Sequence, residues 1–204
     1  KMEQQTHHKG MLIPVLATLQ HYNCIPYFIY VKFGLWDDIL TIPPIDSSPV
    51  YITGIRHYAR GMAFMGKKEL AKARAELTEL KEVAKEDTLK TLTIWEINSL
   101  YNVIEIAQKV LEAEILAQEK KYDESIALLT EGVALEDALN YNEPPDWFFA
   151  VRHHLGAVLI EAGKADEAIK VFEQDLKYFP RNGWSLNGLK ASYPALRQSD
   201  IISR

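Results

Sequence analysis

Six histidines and one cysteine hold most of the reactive potential of this 204-residue chain. His21 and Cys24 stand one helical turn apart and offer the nitrogen and sulfur donors that zinc prefers. Such a site needs three or four ligands, and the remaining candidate, His153, lies in a distant segment. His153 and His154 are adjacent, so on a helix their side chains diverge by about 100° and do not grip one ion. His7-His8 falls in a terminal stretch. Cys24 has no recognisable activating neighbour, and no GxSxG nucleophile elbow occurs. Gly163-Lys164 resembles part of a phosphate loop but lacks its first glycine and its following Ser/Thr. The paired acids Glu136-Asp137 read as solvated surface, and Asp37-Asp38, just after Trp36, read as helix-capping charge. No catalytic residue, metal or cofactor is therefore expected, and the chain reads as a non-enzyme.

The elements that would carry these residues are amphipathic helices. From Asp146 to Pro180 the sequence DWFFAVRHHLGAVLIEAGKADEAIKVFEQDLKYFP reads as two helices joined by a tight turn at Gly163-Lys164. Trp147, Val151, Leu155, Val158, Leu159 and Ala162 follow the helical period on the first. Ala165, Ala168, Ile169, Phe172 and Leu176 follow it on the second. Pro144 and Pro145 forbid continuation from upstream, and Asp146 places a favourable charge in the first turn. Small residues at Gly156 and Ala168 let the two helices approach closely. One such hairpin cannot bury both faces, so neighbours must stack on it.

Gly156, Leu159, Gly163, Ala168, Phe172 and Pro180 fall, in one register without a gap, where the 34-residue tetratricopeptide repeat (TPR) carries its signature residues. The segment resembles that family. Taking Gly156 as repeat position 8, the same register is met at Gly61 (with Phe64, Leu70, Ala73 and Leu77). It recurs more weakly at Ala113 (with Leu116, Tyr122, Ser125 and Leu129) and most faintly at Tyr27 (with Tyr30, Gly34, Trp36 and Ile39). These positions are separated by 34, 52 and 43 residues. The longer intervals imply insertions, one around Lys85–Ile97 and one in ALNYNEPPD before Trp147. The expected fold class is all-α: a TPR-type α-solenoid of about four helix pairs plus a C-terminal capping helix. The pairs lie near 11–42, 49–84, 98–139 and 146–180, within a single domain over 11–204. Pro43 and Pro44 truncate the first pair. The cap spans about 183–198. Residues 1–10 read as a flexible terminus or a tag remnant. The faint first repeat and the Lys1 start point to a piece of a longer protein.

Composition narrows the function classes. A hydrophobic content of 48%, a charged content of 25% and a net charge of −5 are ordinary for a soluble globular chain. Lys and Arg are interleaved with acids, as in KKELAKARAELTELKEVAKED, which reads as a solvated helix face and not as a nucleic-acid surface. The apolar stretch from Met11 to Gly34 is broken by Pro14, Gln20, His21, Asn23, Pro26 and Lys32, so no membrane span is expected. One cysteine excludes an internal disulfide and leaves the compartment undetermined, with the cytoplasm as default.

The resemblance implies a non-catalytic protein–protein interaction or scaffold module with a concave face lined by the first helices of successive pairs. Mapped onto that face, the residues expected to meet a partner protein or peptide are Phe28, Tyr58, Met62, Glu114, Arg152 and His153. The Lys, Asn and Arg positions that clamp a terminal carboxylate in some members are occupied by Tyr58, Ala59 and Met62, then by Val110, Leu111 and Glu114, so that use is not implied. Two alternatives stay open. The groove could hold a small molecule or metal beside His21, Cys24, Tyr58 and His153, or the chain could be a structural repeat segment of a larger TPR protein, its groove filled by that protein's further repeats and self-associating where it is left open. Trp147 is expected to pack on the Tyr122–Leu139 helix, and Phe148 or Phe149 on the cap.

Overall fold

The computed structural model describes residues 16–44 and 49–202, with side chains as far as residue 194. The expected flexible terminus at 1–10 and the start of the first pair lie outside the described residues. The chain is predominantly helical, as the sequence requires. Contacts divide it into two compact units.

The first unit comprises residues up to Leu111 together with Ala138–Phe148. It holds α1 (Ala17–Asn23), α2 (Ile25–Lys32) and α3 (Trp36–Thr41), the last ending just before Pro43. Next come α4 (Val50–Gly66), α5 (Leu70–Val83) and α6 (Thr88–Thr91), then two short strands, β1 (Thr93–Ile94) and β2 (Asn98–Ser99). The helix α7 (Leu100–Gln118) begins in this unit. Pro49 immediately precedes α4, whose buried side carries Tyr51, Ile52, Ile55, Tyr58, Ala59, Met62 and Ala63 at helical spacing. A Cβ at Gly54 would strike Ile104, and one at Gly61 would strike Leu111. These two glycines, two turns apart on α4, receive side chains of α7.

The second unit comprises Glu112–Asp137 and Phe149 onward. It holds the end of α7, then α8 (Tyr122–Asp137), α9 (Val151–Glu161), α10 (Ala165–Tyr178) and α11 (Gly183–Ile202). Its centre is the Phe172 ring, which occupies the space a Cβ would need at both Gly156 of α9 and Gly188 of α11. Gly156 thus makes room for an aromatic ring, where the sequence argument invoked close approach of two helices. Ser125 donates to the Ala113 carbonyl at 2.8 Å, tying α8 to α7 at the position where the register calls for a small residue.

Four helix-to-helix turns share one hydrogen-bond pattern. The N–H of Leu35 reaches the carbonyl of Tyr30, Glu69 that of Phe64, Lys121 that of Leu116 and Lys164 that of Leu159, at 2.8–2.9 Å. One residue earlier, Gly34, Lys68, Lys120 and Gly163 each take a left-handed backbone, with φ between 61° and 75°. This is the Schellman ending, in which a residue at positive φ turns the chain and satisfies the last carbonyls. The four turns are 34, 52 and 43 residues apart, the separations of the sequence register.

Both insertions carry structure of their own. Thr93, Ile94 and Asn98, Ser99 pair as antiparallel strands with Thr93 opposite Ser99 and Ile94 opposite Asn98, a feature the all-helical reading did not contain. The second insertion does not stop at Asp146, since α9 begins only at Val151. The reason is that Asp146 does not act at a helix N-terminus. It is buried and hydrogen-bonded to Asn98 and Asn142.

Candidate functional site

The six residues mapped to a concave face fall into different settings. Phe28 is buried and stacks on Phe148 with ring centroids 4.5 Å apart. Tyr58 is 0% exposed and meets the Trp147 ring edge-on at 5.4 Å. Trp147 therefore packs within the first unit among Phe28, Tyr58 and Phe148, and not on α8 as expected. Met62 is buried on α4. In the second unit, Arg152 grips Asp137 with both terminal nitrogens, at 2.8 and 2.5 Å, and covers the Tyr178 ring. His153 bonds to Asp175 at 3.1 Å, and Glu114 bonds to Nδ1 of His154 at 2.6 Å. Only Phe28 and Tyr58 among the six are brought to a common aromatic cluster. Phe149 packs edge-on against Trp184 of α11, the helix on which Phe148 or Phe149 was expected to pack.

The two insertions build a different site in the first unit. Asn98 is its knot. Its side-chain amide donates to the Asn140 carbonyl at 2.9 Å and to Asp146 at 2.7 Å, and its Oδ1 accepts from the Asn140 N–H at 2.8 Å. Asn140 returns a bond to the Ile97 carbonyl at 3.1 Å, and Asn142 donates to the second oxygen of Asp146 at 2.8 Å. Each buried polar group of this clamp is satisfied, which gives it a defined geometry. It holds the β1–β2 hairpin beside residues 140–148.

Between these insertions and α1–α2 lies a cleft of about 360 Å³. Its walls are aromatic and aliphatic: Tyr22, Ile25, Phe28 and Ile29 from the helices, Ile94 and Trp95 from the hairpin, and Pro144, Pro145, Trp147 and Phe148 from the second insertion. The polar groups at it are His21, Lys32, Asn142 and Asp146. A mostly apolar concavity of this size with a few polar groups is the usual form of a ligand site. Ile29 and Trp95 remain 45% and 57% exposed.

Trp95 sits where its backbone is least comfortable. Trp95 and Glu96 both take left-handed φ values, 53° and 60°, and the turn closes with the Ile97 N–H on the Ile94 carbonyl. Hairpin turns with two such residues normally use Asn-Gly, because a Cβ there costs about 1–2 kcal/mol per residue. The tip is held by the Trp95 N–H on the Thr18 hydroxyl at 2.9 Å and by its indole N–H on the Tyr22 hydroxyl at 3.2 Å. The missing Asn-Gly signal is also why sequence reasoning passed over this hairpin.

His21 supplies the cleft's defined hydrogen-bonding group. Burial pushes its pKa down to about 4, opposed by the nearby Asp146 carboxylate, so the ring is neutral at neutral pH. Its Nδ1 lies 2.7 Å from the hydroxyl of Tyr51, which is fully buried and held well above the usual phenol range by that burial. If Nδ1 donated, the Tyr51 proton would be left buried without an acceptor. Tyr51 therefore donates, and the ring proton of His21 resides on Nε2. Among the described residues no group accepts from that Nε2–H. Cys24, the other half of the suspected metal pair, is fully buried, and burial pushes its thiol pKa upward. Its Sγ lies against the Gln20 carbonyl. Among the described residues no cluster of three or more His, Cys, Asp or Glu side chains could hold a metal ion.

The second unit contains the other polar cluster. Ser185, His153 and Asp175 are all buried, and the Ser185 hydroxyl donates to Asp175 at 2.5 Å. Serine and histidine thus share one carboxylate, so the imidazole is not placed to take the serine proton as a nucleophilic triad requires. Burial disfavours the Asp175 carboxylate, yet the bonds from His153 and Ser185 outweigh it and keep its pKa below the ordinary value. Glu136, read as a solvated acid, instead accepts from the Val151 N–H at 2.8 Å and caps α9 from a distance. Burial pushes its pKa up to about 7, against the pull of that bond and of Arg152.

Searches against protein-family models, curated proteins and solved structures return no match. Among the described residues, no helix is long and apolar enough to cross a membrane.

Proposed function

We propose that the chain is a TPR-type helical-repeat module without catalytic activity that binds a segment of a partner protein. The repeat reading draws on the four Schellman turns, whose spacing matches the register of the resemblance. The binding reading rests on one observation: the cleft is preformed by a fully bonded clamp, yet it keeps Trp95 exposed on a strained tip. Strain of this kind persists where surrounding structure enforces it, and it clusters at functional sites. The conspicuous acids and histidines of the second unit are engaged in caps and ion pairs.

A compact small molecule has one observation in its favour, the cleft volume of about 360 Å³. The apolar surface does not stop there, however. Ile25 and Ile29 line the cleft, and Phe33, one turn further on, is 63% exposed. That continuation favours a chain-like ligand.

The reading is tested by affinity capture from extract of the native cell, using the wild-type chain and a Trp95→Ser/Ile29→Ser variant. Retention of one defined protein by the wild type, and its loss from the variant, is the expected outcome. Identical sets of retained proteins would contradict it.

A further inference from the structure

We infer that Glu136 is a proton-operated pin for the start of α9: with its proton it holds the Val151 N–H, and without it the side chain withdraws to solvent and the first turn opens. The device belongs to the second unit and is independent of what the cleft binds. The chain leaves that unit after Asp137 and re-enters it at Phe149. Two side chains at the end of α8 fasten the returning chain. Glu136 accepts from the Val151 N–H at 2.8 Å, and Asp137 receives both terminal nitrogens of Arg152. Such help matters here, because α9 follows Ala150, whose side chain has no oxygen to offer the free N–H groups of a first turn.

The two fastenings differ in charge balance. The charges that act on Glu136 are Asp137 beside it on α8, Arg152 on α9 and Asp175 on α10. Arg152 engages both terminal nitrogens with Asp137 and lies over the Tyr178 ring of α10. Asp175 is held by His153 of α9 and by the Ser185 hydroxyl of α11. Three carboxyl groups thus gather around one guanidinium. Asp137 has that guanidinium and Asp175 has a histidine and a hydroxyl, whereas Glu136 has a neutral backbone N–H. Of the three, it is the one least able to carry a charge away from water.

Titration follows from that arrangement. Burial above all, reinforced by the Asp137 and Asp175 charges, pushes the Glu136 carboxyl up to about 7 against the pull of the Val151 N–H and of Arg152. The neutral acid still offers a carbonyl oxygen to Val151, so protonation preserves the bond. A carboxyl released to solvent loses its proton near the ordinary 4.5. Opening is therefore coupled to proton loss and becomes easier as pH rises between those two values. The gap allows the opening constant to change by roughly a hundredfold or more, whereas one helix cap is worth about fivefold. The charge effect outweighs the hydrogen bond.

The test follows hydrogen exchange of the Val151 amide in the full chain by NMR, corrected for the intrinsic pH dependence of exchange. Protection in the wild type should fall by at least about tenfold from pH 4.5 to about pH 8. In Glu136→Gln the side-chain carbonyl keeps the bond but cannot ionise, so protection should stay level over that range. Asp137→Asn removes a repelling charge and leaves Arg152 to Glu136, so the fall should shrink to about threefold or less. A level wild-type profile, or the wild-type fall persisting in Glu136→Gln, would overturn the inference. An undiminished fall in Asp137→Asn would overturn its charge balance. The Phe172 amide, inside α10, should stay better protected than Val151 throughout. Equal protection at the two would make the opening an unfolding of the whole unit and overturn the pin.

Discussion

The turn between α9 and α10 and the tip between β1 and β2 both reverse the chain through left-handed backbone, but they fill it with opposite kinds of residue. Gly163 sits at φ 75° with open space where a Cβ would go, so the residue suits the conformation. Trp95 and Glu96 occupy the same region of backbone space with two of the less suitable choices. Around Gly163 the helices close on the Phe172 ring, and the neighbouring polar groups pair among themselves. Around Trp95 the bonds run to a clamp and to two hydroxyls, and an open cleft remains. The difference separates residues that serve packing from residues that packing alone does not explain.

The largest expected effect breaks the packed side of the comparison. Phe172→Ala leaves a void facing Gly156 and Gly188 and should cost about 3–5 kcal/mol, read from denaturant unfolding. A loss below about 1 kcal/mol would mean that this ring is not the organising contact of its unit. On the other side, Asn98→Ala removes three hydrogen bonds, one of them buried and two half-buried, and leaves Asp146 with one partner fewer. It should cost about 2–4 kcal/mol and change the Trp95 indole signal.

Two buried groups, one in each unit, respond to pH with opposite sign. His21 titrates at about 4 when folded, against an ordinary 6.5, so the unfolded chain binds more protons between those values. That term lowers stability as pH falls. Glu136 titrates at about 7 when folded, against an ordinary 4.5, so the native chain holds the extra proton and this term lowers stability as pH rises. Over their shared window the two oppose each other, each by no more than about 3 kcal/mol. Relative to wild type, Glu136→Gln should therefore gain stability progressively as pH is raised through that window. A difference between the two that does not change with pH would remove the buried-acid account. The smallest effect concerns the turns: Lys68→Gly and Lys120→Gly should each stabilise by about 0.5–1 kcal/mol, whereas Gly163→Ala should cost about 1 kcal/mol.

What could be read from sequence follows the same division. Helical periodicity and the 34, 52 and 43 spacing are local, repeated signals, and the Schellman turns fall at those separations because every hairpin must satisfy its last carbonyls. Phe28, Tyr58 and Met62, expected on a face that meets a partner, are instead buried. Which cluster they join was not legible, because Trp147 is placed by a clamp between residues more than forty positions apart. Asn98 and Asp146 carry no motif that announces their pairing. Asp146 looked like helix-start charge because a short acid before an apolar period usually is one. Trp95 was invisible as a turn because its residue type argues against the backbone it adopts.

The most direct measurement pairs stability with binding for Trp95→Gly. Glycine relaxes the left-handed backbone at position 95, while the exposed indole that borders the cleft is lost. Stability should stay within about 1 kcal/mol of wild type or rise, and the captured partner should be lost. A fall of more than about 2 kcal/mol with the partner retained would make Trp95 a packing residue and contradict the assignment of the cleft.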